Sequence, residues 1–348
     1  MISRRDWLWA AALWLLIFAV FSPGAGSRGF YYDDAGMMMA LPFADLDKLW
    51  EHIRVYVPGR NLHILWQYLL YKLAGGPLPN LTALHLMQAS LDGLVAACFF
   101  LLLRLLRLPA GVAFIAAGLF GFWPNHGETH FWPSAAPMTL VSALFTILFS
   151  MTSLALADGE PPRPWLWLAD GVCFLCALFT YDQVFFVLAA IVVARLVVSH
   201  RRTMLLAHLP YLVAVGFFIW LKLTGAPGSG PAARFDPSML RANLADSASW
   251  TVGRLWFRHV PPLCERATAA DWLLAVTVAI LLIALACRDR HSGPSGNLGR
   301  VFVLGLAFYL AAYLPVWFWF IAPRHNYLPS IGLFAGGAAC LAWILERL

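Results

Sequence analysis

Apolar stretches of roughly 15 to 22 residues follow one another along this chain, each near the ~20 residues a helix needs to cross a bilayer. They fall at about residues 7–21, 82–103, 109–123, 136–156, 165–181, 183–199, 204–223, 271–287, 301–320 and 328–345. A soluble domain of 348 residues has no interior large enough to hide them, whereas lipid solvates them. Composition agrees: 61% of residues are hydrophobic, 12% are charged and the mean hydropathy is +0.71. The expected fold class is therefore all-α, a polytopic transmembrane helical bundle of about ten spans, with residues 1–348 forming a single membrane domain. The segment 61–73 is apolar but short, and it carries His63 and Lys72. It reads as an interfacial helix in the first outer loop.

The net charge of +6 does not point to nucleic acid, because most basic residues flank apolar spans and no nucleic-acid motif is present. With the N-terminus inside, the cytoplasmic ends hold Arg4, Arg5, Arg104, Arg107, Arg163, Arg201, Arg202, Arg288, Arg290 and Arg300. Short Arg-rich loops belong on the cytoplasmic side, and this assignment satisfies that rule at every turn. Trp7 to Phe21 follows two arginines in the manner of a signal peptide, but the many later spans favour a retained first helix. Cys173 and Cys176 form a C-x-x-C inside an apolar stretch, where small packing residues are the expectation rather than a redox or zinc site.

The orientation leaves two long outer loops, at about 22–80 and 224–270. The second contains Arg234, Arg241, Arg254, Arg258 and Arg266 against Asp236, Asp246 and Glu265. Two readings fit: a surface helix pairing its own charges, or an anion site for a lipid phosphate, which suits the bidentate guanidinium fork.

Four separated pieces of chain place polar motifs at the outer ends of spans. They are Tyr31-Tyr32-Asp33-Asp34, Pro124-Asn125-His126-Gly127-Glu128-Thr129-His130, Tyr181-Asp182-Gln183 and Pro323-Arg324-His325-Asn326-Tyr327. Ionisable groups at membrane depth are costly, so this face is the expected site. One aspartate of the Asp33-Asp34 pair is explained as a helix N-cap; the pair together suits a general base whose pKa a neighbouring carboxylate raises. His126, Glu128 and His130 form H-x-E-x-H, and they share a face if the stretch is extended. A divalent metal is one reading of that motif and a polar turn is another, since the spacing is not the helical H-E-x-x-H of zinc enzymes. His85, Gln88 and Asp92 share one helical stripe, which favours a hydrogen-bond network between helices. Asp170 and Asp182 read as lone acids, Asp182 being the better site candidate at an outer end.

These motifs resemble the GT-C superfamily of membrane glycosyltransferases. The likeness is nearest to the protein O-mannosyltransferase branch, including tetratricopeptide-containing transmembrane O-mannosyltransferases and their bacterial relatives. Asp33-Asp34 matches the acidic pair that opens the first outer loop of that superfamily. Gly59-Arg60-Asn61 followed by His85-Leu86-Met87-Gln88 resembles its R-P-L and H-x-x-N elements, and Pro124 to Glu128 its H-P-x-H-x-E stretch. Arg324-His325-Asn326-Tyr327-Leu328-Pro329-Ser330-Ile331-Gly332 is similar to R-Y-x-Y-L-P-S-I-G, the most specific of the four. The chain departs from the pattern at Trp123, where the family often has His, at Pro323, where it often has Glu, and at Tyr181-Asp182-Gln183, where Ser-Lys-Glu is common.

The resemblance implies an inverting transfer of a sugar from a polyprenyl-phosphate or polyprenyl-diphosphate carrier to a hydroxyl of a glycan, lipid or protein acceptor. It gives Asp33 or Asp34 the acceptor proton, and Arg324, with Arg258 or Arg254, the leaving phosphate. His126, Glu128, Asp182, His325 and Tyr327 are the expected substrate contacts. The alternative class is a flippase for the lipid-linked sugar, which calls for polar groups reachable from both sides and often for inverted repeats. No internal repeat is evident. High Ala, Arg, Gly and Trp usage reads as bacterial, which places the chain in an inner membrane with its site facing the periplasm.

Overall fold

A computed structural model describes residues 2–29, 45–56, 60–75, 80–123, 126–157, 164–198, 202–224, 237–249, 268–271, 273, 276–277, 298–317 and 323–347. Among the described residues the structure is all-helical, with no strand. The helices are α1 (Arg4–Phe21), α2 (Leu46–Tyr56), α3 (Asn61–Leu73), α4 (Leu81–Leu105), α5 (Ala110–Gly121) and α6 (Gly127–Phe131). They continue with α7 (Ser142–Ala157), α8 (Pro164–Thr180), α9 (Phe185–Val198), α10 (Arg202–Thr224), α11 (Pro237–Ala248), α12 (Leu298–Trp317) and α13 (Tyr327–Arg347). A π-helical turn, Pro137–Val141, leads into α7, and 3-10 turns Asp182–Val184 and Pro323–Asn326 lead into α9 and α13.

Five stretches are helical, long and apolar enough to cross a membrane: Arg4–Ser27, Leu81–Leu105, Pro137–Leu156, Leu298–Trp317 and Arg324–Arg347. Shorter apolar helical stretches cover Ala110–Gly121, Pro164–Thr180, Asp182–Val193 and His208–Trp220, the last within the 23-residue α10, so four more of the ten expected spans are helical. The tenth, at about 271–287, lies almost wholly outside the described residues. At 13 residues α3 is about 20 Å long, short of the ~30 Å apolar core of a bilayer. Large apolar side chains stay exposed on the helices, among them Trp7, Leu8, Leu212, Val213, Val303 and Leu304. Contiguous exposure of this kind suits lipid as solvent and makes the chain a membrane protein.

The chain forms two compact units, one of Met1–Leu15, Ala96–Gly127 and Asp236–Leu348, the other of Leu16–Val95 and Glu128–Phe235. In the first unit α1 begins at a cap built by Ser3 and Asp6. The Ser3 amide and hydroxyl both donate to Asp6 Oδ2 at 2.8 Å, and Ser3 Oγ accepts the Asp6 amide at 3.2 Å. The other carboxylate oxygen, Oδ1, takes Arg104 Nε at 2.7 Å and ties α1 to the end of α4. There Arg107, at φ 64°, turns the chain in the left-handed region. The α12–α13 hairpin packs backbone on backbone at Gly305, Gly332 and Gly336, and α5 lies against α13. Asn243 of α11 donates to the Trp317 carbonyl at 2.8 Å, covering an acceptor that the end of α12 leaves unpaired.

In the second unit, α2 and α3 bury Leu49, Ile53, Ile64 and Tyr71 with Ala74 and Leu84. Further along, α7 and α8 pack closely, and α9 and α10 complete a helical cluster around Asp170. That carboxylate accepts from Thr152 Oγ1 at 2.6 Å, Ser153 Oγ at 3.2 Å, Arg195 Nη1 at 2.7 Å and the Tyr211 hydroxyl. The expectation of a lone acid is corrected: a buried carboxylate on α8 with four donors from three neighbouring helices is an internal staple.

Candidate functional site

In the second unit the polar groups gather around the start of α3. Arg60, at its N-cap, sends Nε to Asp182 Oδ1 at 2.6 Å, and its guanidinium lies 4.9 Å from the centre of the Tyr181 ring. Its Nη1 reaches Met138 Sδ in the π-helical turn at 3.8 Å. One turn on, His63 Nε2 lies 3.4 Å from the Ser134 carbonyl, an acceptor only, so the ring carries its proton on Nε2. Trp66 Nε1 donates to Thr180 Oγ1 at 3.1 Å. Three residues at helical spacing on α3 thus hold both the Tyr181–Asp182 joint and the stretch before α7. Asp182, a second expected lone acid, is also paired. Its side chain is 29% exposed and that of Arg60 16%, so Asp182 is the more open end of the pair.

The charges set one another. Burial works against the Arg60 cation, but Asp182 and Tyr181 outweigh it and hold its pKa above the ordinary value. His63 is driven the other way: burial and then the Arg60 charge push it from 6.5 to about 4, against the smaller pull of the Ser134 carbonyl and Asp182. The folded protein keeps this imidazole neutral where the unfolded chain protonates it. Stability is therefore complete above pH 6.5 and is lost as pH falls towards 4. The loss is about 3 kcal/mol in all. His63→Asn is expected to flatten the unfolding midpoint across that window; an unaltered slope in the variant assigns the titration elsewhere.

A second polar chain lies in the same unit. His130 Nδ1 meets Asp92 Oδ2 at 2.7 Å, and Phe21 stacks on its ring at 4.3 Å. Gln88 donates to the Thr129 carbonyl. Two members of the stripe on α4 therefore tie down the segment after Gly127, as a network between helices rather than a ligand site.

The H-x-E-x-H stretch is helical, not extended: Gly127–Phe131 forms one short helix. The alternation that puts its residues on one face is absent, and the two histidines take unrelated partners. His126, in the first unit, has Nε2 2.8 Å from Ser330 Oγ, whose own proton goes to the Tyr327 carbonyl at 2.6 Å. The imidazole is then the donor to Ser330, and its ring lies 4.5 Å from that of Tyr327. His126, His325 and Tyr327 are buried at 0%, 1% and 0% exposure, set among aromatic rings, while Arg324 is half-buried in the 3-10 turn beside them. The Tyr313 hydroxyl donates to Asn326 Oδ1 at 2.6 Å and fixes that turn against α12. Among the described residues no three His, Cys, Asp or Glu side chains converge as metal ligands.

Asp33, Asp34, Arg254 and Arg258 lie outside the described residues, and Glu128 is placed only by the backbone of α6. Sequence reasoning put Arg60 in a family-like motif without giving it a role, and passed over Trp66. The signal for both was the i, i+3, i+6 spacing of Arg60, His63 and Trp66 on one short helix. No protein-family model, no curated protein and no solved structure matches this chain.

Proposed function

We propose that this chain is a GT-C-type membrane glycosyltransferase. It moves a sugar from a polyprenyl-phosphate or diphosphate carrier to an acceptor hydroxyl at the outer, periplasmic face of a bacterial inner membrane. The observation that carries the reading is the partly exposed Arg60–Asp182 pair backed by Tyr181 and Trp66, set among apolar helices. A carboxylate and a guanidinium framed by aromatic rings suit sugar hydroxyls, and an apolar surround suits a lipid carrier. In this scheme the acceptor oxygen attacks the anomeric carbon, and the bond from that carbon to the phosphate oxygen breaks. The proton passes to Asp33 or Asp34, and the released phosphate keeps the bonding pair. Arg324, with Arg254 or Arg258, offers cationic donors to that developing charge.

The test is transfer from a panel of radiolabelled polyprenyl-phosphate sugars in membranes bearing wild type or Asp33→Asn. Wild type is expected to transfer from one donor, and the variant at least about a hundredfold more slowly at equal expression. Equal rates remove Asp33 from the chemistry. Breaking the partly buried ion pair is a separate prediction. Asp182→Asn, which keeps the shape and removes the charge, is expected to weaken donor use about tenfold and to lower the unfolding midpoint, because the Arg60 cation loses its counter-charge.

The buried Asp170–Arg195 pair favours a second reading, since charges at membrane depth also mark transport paths. A flippase would carry labelled lipid across vesicles containing the purified chain and give no transfer with any donor.

A further inference from the structure

The 3-10 turn that leads into α13 carries a buried donor with no acceptor. Asn326 is 4% exposed, and its Oδ1 accepts the Tyr313 hydroxyl at 2.6 Å. That length is usual for O–H···O and short for N–H···O, so the amide oxygen, not the nitrogen, faces Tyr313. Nδ2 is left buried without an acceptor among the described residues. Turning the amide over would only move the deficit to Oδ1.

The amide is held in this pose. The Tyr313 ring lies parallel to that of Trp317 at 6.1 Å, and Trp317 Nε1 donates to Ser247 Oγ of α11 at 3.1 Å. Asn326 is therefore a fixed donor on a braced support, the arrangement that recognises an acceptor in one place. It stands where the motif R-Y-x-Y-L-P-S-I-G accepts any residue, so its side chain carried no signal in the sequence.

Two features of the surroundings select the acceptor. Arg324, two residues back in the same turn, brings a half-buried positive charge, and the turn contains no acid. The turn also lies where Leu298–Trp317 ends and Arg324–Arg347 begins, both long and apolar enough to cross a membrane. An acceptor that is anionic and borne on an apolar chain satisfies both features: the phosphate of a lipid. We propose that Asn326 Nδ2 donates to an oxygen of a lipid-borne phosphate whose charge Arg324 meets. The proposal rests on the role given to Arg324 in sugar transfer and adds a neutral contact that fixes where the phosphate sits. The polyprenyl phosphate of a sugar donor and the headgroup of a membrane phospholipid offer the same chemistry, and the test separates them.

Native mass spectrometry of the detergent-purified chain measures retention of undecaprenyl phosphate, undecaprenol and palmitoyl-oleoyl phosphatidylglycerol. Wild type is expected to retain undecaprenyl phosphate at least about tenfold more strongly than undecaprenol. Asn326→Asp keeps an oxygen for the Tyr313 hydroxyl and replaces the donor by an anionic oxygen. It is expected to lose the preference for phosphate while retaining undecaprenol as wild type does; a purely structural role for Asn326 would weaken both. Asn326→Leu removes the donor without adding charge and covers the case in which the new aspartate pairs with Arg324. Phosphatidylglycerol held as strongly as undecaprenyl phosphate, and released by both variants, supports the site and makes the membrane lipid its source. No preference in wild type, an unchanged preference in both variants, or equal loss of phosphate and alcohol overturns the proposal. Sugar transfer in membranes judges the glycosyltransferase reading separately: where transfer is present and the preference survives both substitutions, only the Asn326 contact falls.

Discussion

Gly332→Leu is expected to yield no monodisperse protein, while Gly336→Ala, four residues along the same helix, unfolds within about 3 °C of wild type. The difference lies in what each Cβ meets. At Gly332 it falls on the Gly305 carbonyl oxygen and 2.5 Å from the Tyr309 amide nitrogen, and at Gly305 it falls 2.7 Å from both the Gly332 oxygen and the Gly336 nitrogen. These are backbone atoms, which cannot rotate aside, so even alanine at either position forces α12 and α13 apart. In a membrane two helices gain little from burying apolar surface, because lipid is as apolar as they are, and close packing carries their association. Separating the backbones therefore removes the main attraction as well as adding strain, more than about 3 kcal/mol in all. At Gly336 the nearest atoms, Phe302 Cδ2 and O, are 3.7 Å away, an ordinary contact. Size-exclusion profiles and thermal unfolding in detergent measure the series Gly305→Ala, Gly332→Ala, Gly336→Ala and Gly332→Leu. A profile for Gly332→Ala that matches Gly336→Ala would mean the hairpin is not held at this crossing.

The sequence carried the helices well, because an apolar window and its breakers are local properties. Ser3 and Asp6 announce the start of α1, and Pro164 the start of α8. Pairing across the chain was not legible. Arg60 and Asp182 are separated by 122 residues, Arg104 and Asp6 by 98, and neither spacing leaves a local trace. Asp170 and Asp182 looked solitary for that reason, and only packing supplies their arginines. The H-x-E-x-H motif failed differently. Alternation implies a shared face only in an extended chain, and a single helical turn sends His126 towards Ser330 and His130 towards Asp92. Burial was the other hidden variable. Polarity drew attention to His325 and Tyr327, whereas the tight α12–α13 hairpin places both where side chains pack.

Removing either charge of the buried staple is expected to be worse than removing both. Asp170→Leu strands the buried Arg195 cation among Phe149, Trp167 and Tyr211, 5.9, 5.3 and 5.6 Å from their ring centres, with its ion pair gone. A guanidinium cannot shed its proton in a protein, so the cost falls on folding, about 3–5 kcal/mol. Arg195→Met leaves a carboxyl that can take up a proton and still has Thr152, Ser153 and Tyr211 around it, so the loss is smaller. The double variant Asp170→Leu/Arg195→Met is expected to unfold above both single variants, because no uncompensated charge remains. Thermal midpoints in detergent complete the cycle, and strictly additive losses would deny the pair any coupling. The same double variant separates the two functional readings. In a glycosyltransferase the pair is scaffolding, so sugar transfer persists wherever the protein folds. In a transporter it lies on the path, and lipid movement stops although the fold is intact.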